Sequence, residues 1–233
     1  MLPLRVVEGV RPLYFHNGRL YCSKFDQILV TDDFGETFDF VAKIDIPTRF
    51  APIVGMSHTA QRVLRMGVYR LRVMDDGDII FSYKSGVYRI ENGQTRAERT
   101  YAVRAGSRPV SLACTPGGMI VFGEYFDNVE RCEMHVYASE DRGNTWNPVY
   151  TFPAGSIRHI HGITYDPHLD CFWISTGDVG DENKVLRADA GFSDVQVVRE
   201  GGQGNRFYSF LVDHDNLITA TDTPLTRNFI SII

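Results

Sequence analysis

Two histidines separated by one residue, in "RHIHGITYDP" at 158–167, are the sharpest chemical signal in the chain. Residues two apart on a β-strand share a face, so His159 and His161 present their rings on one side. That spacing suits two ligands of a divalent metal, with Glu124 or Asp178 as a third. It also suits one general base and one positioning residue, or two rings held structurally by neighbouring carboxylates. Three acids stand at matching points, each where an apolar stretch ends: Glu124 in "FGEYF", Asp178 in "STGD" and Asp222 in "ATDT". Arginines precede other stretches at Arg11, Arg65, Arg108, Arg158 and Arg206, and Tyr125 and Tyr208 lie beside Glu124 and near Arg206. A guanidinium fork binds a carboxylate through two parallel hydrogen bonds. Arginines among acids therefore describe either a polar pocket for an anion or salt bridges between adjacent sheets.

These groups meet only if the strands that carry them lie side by side, and a repeat in the chain predicts how. The pattern Ser/Thr-x-Asp-x-Gly-x-Thr-aromatic occurs at Thr31, Asp33, Gly35, Thr37, Phe38 and again at Ser139, Asp141, Gly143, Thr145, Trp146. Two degenerate copies follow the outline. "SYKSGVYR" (82–89) has Lys84 in the aspartate's place, and "RADAGFSD" (187–194) keeps Asp189 and Gly191 without the final aromatic. The central positions 33, 84, 141 and 189 are 51, 57 and 48 residues apart. A period near 50 with several short strands per unit fits propeller blades of four antiparallel strands. Each part of the turn has a structural task. The aspartate accepts backbone N–H groups, the glycine takes positive φ, and the aromatic buries apolar area.

This turn is similar to the Asp-box, or bacterial neuraminidase repeat, of sialidase-like β-propellers. The resemblance covers most of the chain and implies the fold more strongly than the activity, because such propellers include non-catalytic binding and assembly proteins. Sialidases use three arginines, a Tyr–Glu nucleophile pair and an aspartic acid–base group. The residue types are present, with Tyr125 beside Glu124, but the family's early Phe-Arg-Ile-Pro signature is not; the nearest string is "RFAP" at 49–52. The resemblance thus implies glycan chemistry without implying the sialidase reaction.

The remaining segments complete an all-β, single-domain reading of residues 1–233. Five tight turns each lead into an apolar strand, at 17–22, 76–83, 116–126, 168–178 and 214–222, and each follows a first strand. "SHTAQRVL" (57–64) reads as a short helix with Ser57 as its N-cap. The fifth blade has three strands, and residues 3–8 are expected to complete it; the rival is a truncated six- or seven-bladed propeller. In such a meander the first and third turns of each blade share one end. The Asp-box turns fall there, so chemistry is expected at the opposite end, around a central funnel.

Composition limits the partners. The net charge is −5, and 20 of the 24 basic residues are arginine. Nothing here favours nucleic acid or an anionic membrane as partner. Cys22, Cys114, Cys132 and Cys171 are widely spaced and read as half-buried free thiols. The start of the chain lacks the pattern of a signal peptide, and no apolar run is long enough to span a membrane, so a soluble, cytoplasmic protein is expected. "EGGQGN" (200–205) lacks the lysine and helix of a phosphate loop, and "GDVGDEN" (177–183) lacks calcium-loop spacing.

The combined expectation is a carbohydrate-active or carbohydrate-binding propeller, with an acidic glycan in the funnel. Glu124, Asp178, Asp222, His159 and His161 are the acid–base candidates; Arg108, Arg158, Arg206, Tyr125 and Tyr208 would hold the ligand. No cofactor is required, though a divalent metal at His159 and His161 is an open alternative. The competing reading is a non-catalytic propeller that docks a protein through the same end.

Overall fold

Among the described residues, every sheet is a meander in which each strand pairs with its neighbour in sequence. The computed structural model describes residues 7–45, 67–106 and 108–233. Among them are five antiparallel sheets, the blades of a five-bladed β-propeller, four of four strands and one of three. The chain groups into two compact units, one reaching to Thr100 and the other spanning Tyr101–Ile233.

In the first unit, β1 (Arg11–His16), β2 (Arg19–Lys24), β3 (Gln27–Thr31) and β4 (Asp39–Lys43) form one sheet. β5 (Arg70–Val73), β6 (Ile79–Tyr83), β7 (Gly86–Ile90) and β8 (Glu98–Ala102) form the next. Ile28, Ala42, Ile44, Leu71 and Phe81 belong to the core of this unit and are wholly buried.

The second unit carries the candidate site. Its first sheet is β9 (Ala113–Cys114), β10 (Ile120–Gly123), β11 (Met134–Ser139) and β12 (Asn147–Phe152). The second is β13 (His159–Asp166), β14 (Cys171–Gly177), β15 (Lys184–Asp189) and β16 (Val195–Glu200). The third is β17 (Phe207–Asp213), β18 (Asn216–Thr221) and β19 (Ile230–Ile232). Burial explains their sequences. β14, "CFWISTG", is buried at every position, and its first four residues form an apolar run. β16, "VQVVRE", is mostly exposed and mixes three valines with polar and charged residues. Val121, Val136, Ile160, Phe172 and Leu186 join the first two sheets of this unit in one core.

The two full turn repeats do the structural work their residues suggest. Asp141 Oδ1 accepts the Thr145 and Asn144 N–H groups at 2.8 and 3.1 Å and the Ser139 hydroxyl at 2.8 Å, while Thr145 Oγ1 donates to Oδ2 at 2.6 Å. Asp33 holds Thr31, Glu36 and Thr37 in the same way. Trp146 donates its ring N–H to the Gly143 carbonyl and packs on Phe122 of its own sheet, ring centroids 5.0 Å apart. In the third copy the aromatic has moved rather than vanished. Asp189 accepts Ser193 and Asp194, and Phe192 turns inward to stack on Phe172.

The copy at 82–89 is a correction. Lys84 and Ser85 form the two-residue hairpin between β6 and β7, with Ser85 at φ 66°, so this turn lies at the opposite end of its sheet from the others. The segment equivalent to the aspartate turns is 91–97, between β7 and β8. A tight hairpin and an aspartate turn both call for small and polar residues beside a glycine, and spacing alone confused them. Arg65, "RFAP", the helix expected at 57–64 and residues 3–6 lie outside the described residues. The four cysteines are free, but only Cys114 is half-buried; Cys22 and Cys171 are buried and Cys132 is exposed.

The turn hydrogen bonds have a pH signature. Bonds from the Thr145 side chain and backbone lead the effects that lower the Asp141 carboxyl to about 2. A depressed carboxyl stabilises the fold fully above its unfolded value of about 3.9, and that contribution is lost as pH falls through the folded value. Asp141→Asn should therefore lower the melting temperature by a few degrees at pH 7 while leaving the far-ultraviolet circular dichroism unchanged. The gap from wild type should shrink between pH 4 and pH 2 in melts recorded as a pH series.

Candidate functional site: a carboxylate between two histidines and two arginines

The site begins with an irregularity in β13. His159 pairs with Gly177 and Ile160 with Thr176, but Gly162 pairs with Ser175, leaving His161 as the extra residue of a β-bulge. A bulge re-aims the side chain it carries. Here both imidazoles reach Asp178, the residue that follows β14. Gly177 makes the exit possible: its φ is 135°, and an added Cβ would lie 2.0 Å from Asn183 Oδ1. Beyond it the chain makes a short 3-10 turn, Gly180–Glu182. Gln203 pins the exit from the other side by donating to the Asp178 carbonyl at 2.9 Å.

Asp178 is the hub. Its Oδ2 receives His159 Nδ1 at 2.6 Å, and its Oδ1 receives Arg206 Nη2 at 2.9 Å and His161 Nε2 at 3.2 Å. Arg158 Nε stands 3.7 Å from Oδ2. Burial alone would raise the Asp178 carboxyl, but the hydrogen bonds from His159 and His161, and the positive charge those rings carry when protonated, outweigh it and hold the group far below the carboxylate range. An ionised carboxylate only accepts, so the bonded ring nitrogens carry hydrogen. This assigns the proton to Nδ1 of His159 and Nε2 of His161. In the neutral rings the lone pairs then sit on His159 Nε2 and His161 Nδ1. Tyr125 lies flat on His159, centroids 4.8 Å apart at 26°.

A second layer holds the arginines. Arg158 Nη2 donates to Asp127 at 2.6 Å, and its backbone N–H donates to Glu182 Oε2 at 3.0 Å. The other Glu182 oxygen accepts Arg131 Nε at 2.9 Å. Glu182 thus ties the turn after β14 to the start of β13.

Glu124, Asp178 and Asp222 each sit one residue past the end of their strands, as their matching sequence positions suggest. Only Asp178 meets the histidines. Glu124 is buried and takes Arg104 in a two-pronged bond at 2.6 and 2.9 Å, together with the His135 N–H at 2.8 Å. That is the salt-bridge alternative realised. Asp222 is exposed, and its backbone N–H donates to the Arg206 carbonyl at 2.9 Å. Arg108, five residues before β9, and Tyr208, the second residue of β17, are half-buried. Arg104, Glu182 and Gln203 were not anticipated. All three lie in connections, where no period marks them, and their partners are 20 to 25 residues away or more.

One ligand atom from each of His159, His161 and Asp178 lies within 4.8 Å of the others, so the set fits a two-histidine, one-carboxylate metal centre. Arg206 and Arg158 oppose it by placing two positive charges against the same carboxylate.

No protein-family model matches the chain, and no curated protein matches it in sequence. Solved structures do match in fold. An ancestral GH74 enzyme aligns over 95% of this chain with a TM-score of 0.62 at 13% identity. The extracellular domain of the one-component system BT4673 from B. thetaiotaomicron aligns over all of it, with a TM-score of 0.63 at 12% identity. This chain spans 29% and 28% of those two chains. A gluconolactonase from Xanthomonas campestris aligns over 87% of this chain and 65% of its own, with a TM-score of 0.55 at 16% identity. At these identities the likeness is one of fold. No helix among the described residues is long and apolar enough to cross a membrane.

Proposed function

We propose that the protein binds an acidic sugar at the Asp178 cluster and transfers a proton there through His159. The observation that carries this reading is one ionised carboxylate that orients two imidazoles while contacting two guanidinium groups. Arg158 and Arg206 keep 32% and 17% of their side chains exposed. A ligand carboxylate can therefore share them with Asp178. Asp178 serves as the orienting group, because a carboxyl held so low is already ionised and neither donates nor takes up a proton at ordinary pH. His159 Nε2 is then the base, and the imidazolium it becomes is stabilised by Asp178. Tyr125 and His161 fix the plane of the working ring. Glu124 supports the wall through Arg104, and Asp222 stands apart. A GH74 enzyme and a gluconolactonase among the fold neighbours support a carbohydrate ligand.

The convergence of three donor atoms supports a second reading, in which the same residues hold a divalent metal. There the two imidazoles and Asp178 would supply the ligands, and Arg206 would bond the outer lone pair of the carboxylate.

Thermal stabilisation separates these readings. A ligand at a hundredfold excess over its Kd stabilises the folded state by about 2.7 kcal/mol. Glucuronate and sialic acid should raise the melting temperature by several degrees, glucose should not, and Arg158→Ala should abolish the shift. A shift with zinc that disappears in His161→Ala favours the metal. No shift with any sugar or metal leaves the protein-docking propeller as the reading that remains.

A further inference from the structure

We infer a second ligand site, for a neutral saccharide, at the opposite end of the β9–β12 and β13–β16 sheets from Asp178. The cleft there has a volume of about 660 Å³, within the range of small-ligand pockets. Its walls are turns, together with the end of β13, at one end of those two sheets. Pro116 lies in the β9–β10 turn, Glu140 in the β11–β12 turn and Pro167 and Asp170 in the β13–β14 turn, while Tyr165 is the last but one residue of β13. Glu140 is the second residue of the full turn repeat at 139–146. The repeat clamps its own loop through Asp141 and leaves this neighbour pointing outward and exposed.

The lining selects its ligand by charge and shape. It contains two carboxylates, Glu140 and Asp170, and no lysine or arginine. Anions, including the acidic sugar proposed for the other end, are therefore repelled. Tyr165 packs against Phe172 at 5.3 Å between centroids and donates its hydroxyl to Asp170 Oδ1 at 2.7 Å. Burial, then that hydrogen bond, pushes the phenol up to about 12, so it stays a neutral ring. The bond occupies one Asp170 oxygen, and the other has no hydrogen bond among the described residues. Asp170 adopts φ 47°, a left-handed conformation uncommon for a residue with a side chain. The result is a flat ring, walls of Pro116, Pro167 and Met119, and carboxylate acceptors at the rim. A sugar ring matches this set, with C–H faces for the apolar surfaces and hydroxyl donors for the carboxylates. A simple cation would use the carboxylates alone and leave the ring, prolines and methionine without a role.

Saturation-transfer NMR and calorimetry on the full chain test the site, with cellotriose, xylotriose and maltotriose as neutral probes and spermidine as a cationic one. At least one trisaccharide should bind. Glu140→Gln and Asp170→Asn should each weaken it about tenfold, the loss expected for one hydrogen bond to a charged group. Arg158→Ala should leave that affinity unchanged, which keeps the outcome separate from the fate of the Asp178 site. The inference is overturned if no trisaccharide binds, if both carboxylate variants bind as wild type does, or if spermidine alone binds.

Discussion

Asp178→Asn should melt well below the wild type and should no longer bind an acidic sugar. Asparagine keeps the shape of the hub and removes its charge. Arg206 then loses its bond to the Asp178 carboxylate, Arg158 is left with Asp127, and two ring N–H groups compete for one carbonyl oxygen. Breaking a buried ion pair by deleting one partner costs about 3–5 kcal/mol. Arg158 keeps a third of its side chain in water, which screens part of that loss. The lower end, about 3 kcal/mol, is therefore expected from denaturant unfolding at pH 7. The effect has a pH limit. Asp178 is depressed in the folded state, so its contribution is complete above about pH 4 and is lost as pH falls below that. Unfolding curves of wild type and variant should stay separated from neutral pH down to about pH 4 and converge in stronger acid. A variant as stable as wild type, with sugar binding intact, would remove Asp178 from the centre of the site.

The second large effect is expected from one methyl group. Gly162 lies where β13 meets β17, and a Cβ added there would stand 2.3 Å from the Tyr208 carbonyl oxygen and 3.1 Å from Ser175 Oγ. The nearer obstacle is backbone, which cannot rotate aside. Gly162→Ala must push the two strands apart, and overpacking of this kind costs about 1–3 kcal/mol. For a chain of this size each kcal/mol is worth roughly 2–4 °C of melting temperature. The strand displaced carries Tyr208 and follows directly on Arg206, so the Arg206–Asp178 bond at 2.9 Å should lengthen and ligand affinity should fall with stability. Gly67→Ala is the control, because nothing lies within 4 Å of its new methyl and its φ is ordinary. Equal melting temperatures for the two variants would mean that β13 and β17 are not in the close contact described.

Much of the fold is legible in the sequence because a meander writes its features locally. Tight turns and alternating or continuous apolar runs locate the first two strands of most sheets to within a few residues. β14 and β17 are clear cases. Turn type is less legible: Lys84 and Asp33 head similar strings, yet one turn has two residues and the other holds a carboxylate clamp. The site divides along the same line. His159 and Asp178 were readable because they stand at strand ends, and His161 because of its spacing from His159, although a β-bulge rather than the plain strand period aims its ring at Asp178. Glu124 has the same credentials and is instead bound by Arg104, whose position in an irregular connection has no periodic mark. The cleft beside Tyr165 was invisible for a related reason. It is assembled from turns that look purely structural one at a time, and only the packing of two sheets brings Glu140 and Asp170 to the same opening.

The neighbour-to-neighbour strand order also bears on how the protein is made. Each sheet is a contiguous run of chain, so a ribosome releases the parts of one blade together before it starts the next. Among the described strands none has to wait for a distant partner to be synthesised before its own ladder closes, and pairings of that kind form fast. Blades can therefore mature in the order they are translated, and an error in one turn stays with its own blade while the others take shape.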